Sequence, residues 1–195
     1  ELGVEFVGNT RIGRDLSLRE LRAGGHAAIF LAIGAHRPRT LSLEGRDAAG
    51  APALRPALEF LAAARAGEEG SIRGEVVVIG GGNAAIDAAR TARRLGASAV
   101  TIACLEDRAS MPALHEEIDD AESEGILLLT GVRPTRVVGE GLAVVGTADA
   151  APRHLACGLV VVAIGQDPDL TLLEGGDLGL AQDEHGRLLV DPETC

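Results

Sequence analysis

Residues 76–95 read VVVIGGGNAAIDAARTARRL, and this stretch decides the fold. Val76, Val77, Val78 and Ile79 form a β-branched run that suits a buried parallel strand and is too short for a helix. The run stops at Gly80, Gly81 and Gly82, and an Ala-rich, helix-favouring segment follows at once. Gly80 and Gly82 occupy the first two glycine positions of G-x-G-x-x-G/A, with Ala85 at the last, small position. The first glycine permits a tight turn, the second lets the backbone touch a pyrophosphate, and Ala85 lets helix and strand pack closely. The amides of the helix start, through Asn83 and Ala84, then offer N–H groups and a partial positive charge to the phosphates. Asn83 is expected to cap this helix.

Working outward, residues 99–104 (AVTIAC) supply a second strand at βαβ distance. Glu106 lies at its end, 21 residues after Ala85, where an acidic residue is expected on the ribose hydroxyls of NAD. The competing reading is a glycine-rich turn in an α/β sheet that binds nothing. Three features in register favour the dinucleotide site.

Composition narrows the choice further. The 195 residues carry a net charge of −11, with three Phe and no Tyr or Trp. Stacking surfaces for single-stranded nucleic acid are therefore nearly absent, and the acidity argues against nucleic acid and anionic membranes as partners. No apolar run reaches a membrane span and no signal peptide opens the chain, so a cytoplasmic location is expected. Cys104, Cys157 and Cys195 form no metal or redox spacing, and the five histidines form none either. No metal site is assigned.

Along the rest of the chain, strands are expected over 4–7 and 27–33, with a short helix over 16–21 capped by Asp15 or Ser17. Residues 38–56 read as a loop or linker, followed by a helix that Pro56 opens and Gly67 closes. Met111-Pro112 should be followed by a helix to about Glu124, with Met111, Leu114, Ile118 and Ala121 spaced to share one face and a solvated acidic run on the other. A strand over 126–130 and short antiparallel strands over 132–138, 141–145 and 153–156 come next, then a buried strand over 159–164. A turn at His185 and Gly186 leads to a last strand. The buried strand ends in Ala163-Ile164-Gly165, repeating Ala32-Ile33-Gly34 on the other side of the nucleotide unit.

These residues resemble a family. The glycine loop, MPALHEEIDDAESEGI at 111–126 and VVVAIGQDPDL at 160–170 are similar to the NAD(P)H:flavin oxidoreductases related to the glutamate synthase small subunit, of the pyridine nucleotide-disulfide oxidoreductase-like superfamily. FLAIGAHRPRTLSLEG at 30–45 looks like the close of that family's FAD-binding domain and HGRLLVDPETC at 185–195 like the re-entry to it. The resemblance implies an α/β, Rossmann-like NAD(P)-binding domain, a parallel sheet with helices on both faces plus a small antiparallel meander, inserted into an FAD-binding domain. It assigns residues 1–55 to an FAD-domain remnant, 56–74 to a connecting helix and linker, 75–166 to the NAD(P) domain and 167–195 to the truncated re-entry. The FAD loop would precede Glu1 and the remaining flavin-binding segment would follow Cys195.

The implied activity is hydride transfer from NAD(P)H to FAD, with electrons leaving for an iron–sulfur protein or partner subunit. The cofactors carry that chemistry, so no catalytic side chain is assigned. Gly80, Gly81, Gly82, Asn83, Ala84 and Ala85 would hold the pyrophosphate and Glu106 the adenosine ribose. Ala163, Ile164, Gly165 and Gln166 would border the nicotinamide, and Ile33 and Gly34 mark a second passage near a cofactor. Family members carry Tyr-Arg-Arg where this chain has Cys104-Leu105-Glu106, so a preference for NAD(H) over NADP(H) is expected, with Arg108 left as a possible phosphate contact. Arg90, Arg93 and Arg94 read as a solvated basic face. Two alternatives stay open: a stand-alone NAD-dependent dehydrogenase, for which the chain offers no lysine, and a non-catalytic dinucleotide-binding or docking module.

Overall fold

The computed structural model describes residues 3–173, 179–184, 187–191 and 193. In chain order the elements are α1 (Leu18–Ala23), β1 (Arg37–Pro38), β2 (Ala53–Pro56), α2 (Ala57–Ala66), β3 (Glu75–Ile79) and α3 (Asn83–Arg94). They continue with β4 (Ala99–Ala103), α4 (His115–Ser123), β5 (Leu127–Leu129), β6 (Val132–Val137), β7 (Gly141–Gly146), β8 (Pro152–Ala156), β9 (Leu159–Val162) and β10 (Gln166–Asp167). The chain divides into two compact units, Pro38–Gln166 and the pair of segments Glu1–Arg37 and Asp167–Cys195.

The larger unit is built on a five-stranded sheet in the order β2-β9-β3-β4-β5, in which every pairing is parallel. Alternation along β3 explains its continuous apolar run. Val76 and Val78 join a core with Phe60 of α2, Ile86 of α3 and Ile118 of α4. Val77 and Ile79 join a second core with Val132, Leu142 and Val144 of the antiparallel meander β6-β7-β8. The expected α/β class with a parallel sheet and meander is what forms. Its layering differs in one respect: the labelled helices of this unit share one face, and the meander takes the other in place of helices.

Helix α3 sits close to the sheet because its inward side is Ala85, Ile86, Ala88, Ala89 and Ala92, all fully buried. Small side chains shorten the helix-to-sheet distance. The register of β6 on β7 shifts between Pro134 and Arg136, and Thr135 at that irregularity donates from Oγ1 to the carbonyl of Ala143 at 3.1 Å.

Several expectations are corrected. Residues 53–56 form an edge strand on β9 rather than part of a loop, so residues 38–74 pack within the nucleotide unit. Proline is tolerated there because an edge strand leaves one side unpaired. Helix α4 begins at His115; Leu114 is its N-cap, extended and exposed, and only Met111, Ile118 and Ala121 are buried. In the smaller unit residues 4–7 and 27–33 form no strand, and Phe6 and Phe30 are 92% and 90% exposed. An apolar run becomes a strand only where a neighbour completes its hydrogen-bond ladder, and none of the described strands pairs with them. Helix α1 does form, with Ser17 as its cap: Oγ accepts from Glu20 N at 3.1 Å and the Glu20 carboxylate accepts from Ser17 N at 2.8 Å. The turn at His185 and Gly186 lies outside the described residues, and Gln182 and Leu188 on either side make a single antiparallel bridge.

Phe60 is the largest fully buried side chain and ties α2 to α3 and the sheet. Phe60→Ala should cost about 3–5 kcal/mol, read from urea unfolding followed by circular dichroism. A loss under about 1 kcal/mol would mean that α2 contributes little to the folded unit.

Candidate functional site

The C-terminal ends of β9, β3 and β4 open into a cleft of about 650 Å³. This is where an open parallel sheet places a ligand, beside the strand from which the chain order runs in both directions. Its lining includes Gly80, Gly81, Gly82, Asn83, Ala84 and Glu106, and also Ala163, Ile164, Gly165 and Gln166. The structure thus brings together two sets of predicted residues that lie about 80 positions apart in the chain.

Backbone contact makes the glycine loop. Gly80 N donates to the carbonyl of Ala103 at 3.0 Å, and Ala163 N donates to the carbonyl of Ile79 at 2.8 Å. Gly80 has φ +132°, and a Cβ there would lie 2.2 Å from the carbonyl oxygen of Ala163. No side chain fits. Gly82 is the opposite case: it caps α3, its φ is −92°, and a Cβ there would meet nothing within 4 Å. The amides of Gly82, Asn83 and Ala84 make no hydrogen bond among the described residues. Unpartnered amides at the start of a 12-residue helix, on residues that line the cleft, fit the pyrophosphate of a dinucleotide.

Asn83 does not cap the helix. Its Oδ1 accepts from Leu114 N at 3.0 Å, while the carbonyl of Gly81 accepts from Ala113 N at 3.1 Å. These two bonds dock the loop before α4 onto the glycine loop and bring Pro112 into the cleft wall. The side chain is occupied between elements and so is not available to its own helix. Ala85 is fully buried under the loop and supports it without lining the cleft.

The Glu106 carboxylate sits against the loop, with Oε2 3.0 Å from the position a Gly81 Cβ would take. Arg108, two residues on, is engaged elsewhere. Its guanidinium pairs with Glu122 (Nη2 to Oε2, 2.6 Å) and Asp119 of α4, and these carboxylates push its pKa up. It does not line the cleft. The acidic run of α4 is partly neutralised in the same way, because Glu124 accepts from Arg90 at 2.6 Å and from Arg94 at 3.3 Å. Arg93 donates to the carbonyl of Ala97 at 2.9 Å. Ile33 and Gly34 belong to the smaller unit and are not among the lining residues.

Reading by motif passed over Arg133, Leu41, Pro112 and Pro134, all of which line the cleft. Arg133 had a signal: it is the residue after buried Val132 in an alternating strand and so must face away from the core.

Burial pushes the Cys104 thiol up from 9.0 to about 11, with the Glu106 charge adding to the effect. Burial does the same at Cys157, also to about 11, with Glu75 adding to it. Among the described residues no group of His, Cys, Asp and Glu could hold a metal ion. No helix among them is long and apolar enough to cross a membrane.

Two outcomes are expected. Gly80→Ala should lose about 4 kcal/mol or more in urea unfolding, whereas Gly82→Ala should stay within about 1 kcal/mol of the parent. Equal stability of the two variants would contradict the close approach at Ala163. Since both thiols hold their proton more tightly when folded, their contribution is fully present below pH 9.0 and is lost as pH rises toward about 11. The alkaline loss of stability should therefore shrink in a Cys104→Ala/Cys157→Ala double variant, and an unchanged alkaline profile would refute it.

Comparison with known proteins agrees with this geometry. The β subunit of NADPH-Fe(3+) oxidoreductase of Geobacter sulfurreducens is 38% identical over 88% of this chain and 29% of its own length. The glutamate synthase [NADPH] small chain of Azospirillum brasilense is 32% identical over 100% of this chain and 46% of its own length. The chain thus spans less than half the length of these relatives. Thioredoxin reductase of Lactococcus lactis shares the fold, with a TM-score of 0.64 and 24% identity over 83% of this chain and 51% of that one. The family profile described as pyridine nucleotide-disulphide oxidoreductase matches residues 11–195. With its glycine loop, parallel sheet and cleft in the expected places, the chain belongs to the pyridine nucleotide-disulphide oxidoreductase family.

Proposed function

We propose that this chain is the dinucleotide-binding part of a cytoplasmic flavin-dependent oxidoreductase that takes a hydride from NAD(P)H onto FAD and passes electrons to an iron–sulfur protein or partner subunit. The observation that carries the reading is the cleft at the strand ends, lined by residues 82–84 with their unpartnered amides and by the Glu106 carboxylate, with open space at Gly82. The names of the relatives, a β subunit and a small chain, support a partner subunit. When bound, the nicotinamide supplies the hydride and the flavin accepts it; the protein binds, orients and excludes water. Gly80, Gly82 and the α3 amides would hold the pyrophosphate, Glu106 the adenosine ribose, and Ala163 to Gln166 the nicotinamide edge. The smaller unit, with Ile33 and Gly34, is assigned to the flavin side. This chain alone should bind dinucleotide and show little turnover.

Within this reading NAD(H) is preferred over NADP(H). Glu106 borders the cleft and would repel a 2′-phosphate, while Arg108 is held by Asp119 and Glu122. The relatives' names carry NADPH, which makes this the sharper test.

Calorimetric titration of the chain with NADH and with NADPH decides both points. Tighter NADH binding is expected, with Glu106→Gln narrowing the ratio by about tenfold. Tighter NADPH binding would discard the preference and leave the site. Binding of neither would discard the site.

A further inference from the structure

The strand order lays out the dinucleotide from end to end. The sequence β9-β3-β4-β5 across the sheet sets four C-terminal ends side by side. Gly165 follows the first, the glycine loop the second, Glu106 the third, and residues 130–133 the fourth. Resting on the reading above, with pyrophosphate at α3 and ribose at Glu106, the next group along the covalent chain of the dinucleotide is its adenine. Continuing in the same direction, that base comes over the ends of β4 and β5.

Here the meander begins. Gly131 N donates to the carbonyl of Glu106 at 3.0 Å and Val132 N to that of Cys104 at 2.8 Å, so the start of β6 is fastened to the strand end that carries the ribose carboxylate. Val132 is fully buried, and strand alternation turns Arg133 to the other side, into the cleft wall. The Arg133 guanidinium has no hydrogen bond or ion pair among the described residues, unlike Arg90 and Arg108. Leu105, also in the wall, is 59% exposed, an apolar side chain without a protein partner covering it. A purine needs a flat or apolar surface on its faces, and no aromatic residue lines this cleft. The remaining planar cation is Arg133, and a guanidinium stacks on π-faces as an ammonium does not.

We propose that Arg133 stacks on the adenine of the bound dinucleotide, with Leu105 adding apolar contact, so that this arginine contributes affinity independent of the 2′-phosphate. The chain is titrated with NADH, NADPH and ADP-ribose as parent, Arg133→Ala and Arg133→Lys. Arg133→Ala should weaken all three ligands alike, by about five- to tenfold, and Arg133→Lys should recover little of it. Added salt should leave the ratio of parent to variant nearly unchanged. A loss confined to NADPH, or rescue by lysine with strong salt dependence, would show a phosphate contact and overturn the proposal. Unchanged affinities for all three would overturn it while leaving the dinucleotide site intact. Failure of the parent chain to bind any of the three would overturn the site and this inference together.

Discussion

The contact on which the site depends is the approach of Gly80 to the carbonyl of Ala163, where a Cβ would lie 2.2 Å from the oxygen. Hard-core repulsion at that distance exceeds anything local packing could absorb, so the position is confined to glycine. The same contact brings the end of β9 against the end of β3. Residues 163–166 and the glycine loop therefore share one cleft although a whole meander separates them in the chain.

Around this contact the rest of the unit is arranged by simple packing needs. The sheet is apolar on both faces, so both must be covered; α2, α3 and α4 cover one and β6-β7-β8 the other. The meander also carries Arg133 into the cleft wall, and the loop before α4 carries Pro112 there. One side chain and one backbone carbonyl tie the start of α4 to the glycine loop: Asn83 Oδ1 accepts from the N-cap amide of Leu114, and the Gly81 carbonyl accepts from Ala113 N.

Charge in this chain is used in two ways. Arg90 and Arg108 pair with carboxylates of α4 and Arg90 also with Glu124 just beyond it, which partly neutralises this acidic helix. Glu106 and Arg133 are left facing the cleft, one carboxylate and one guanidinium.

The sequence by itself determined the nucleotide half-fold: β3, the glycine loop, α3 and β4 follow from a β-branched run, three glycines and an alanine stripe, all local signals. It also placed Ala163 to Gln166, through a buried apolar strand ending in glycine. What it could not determine were outcomes decided by neighbours. Residues 53–56 look like loop in composition and become a strand because β9 offers a ladder edge. The apolar runs at 4–7 and 27–33 look like strands and stay exposed because no described strand completes theirs. Asn83 looks like a cap and instead bonds Leu114, and Arg108 looks like a phosphate ligand and instead pairs with α4. Only the tertiary structure decided which arginine is left facing the cleft. The reason is physical: propensity and period act over a few residues, whereas the partner of a polar group is whatever the fold sets within hydrogen-bond distance.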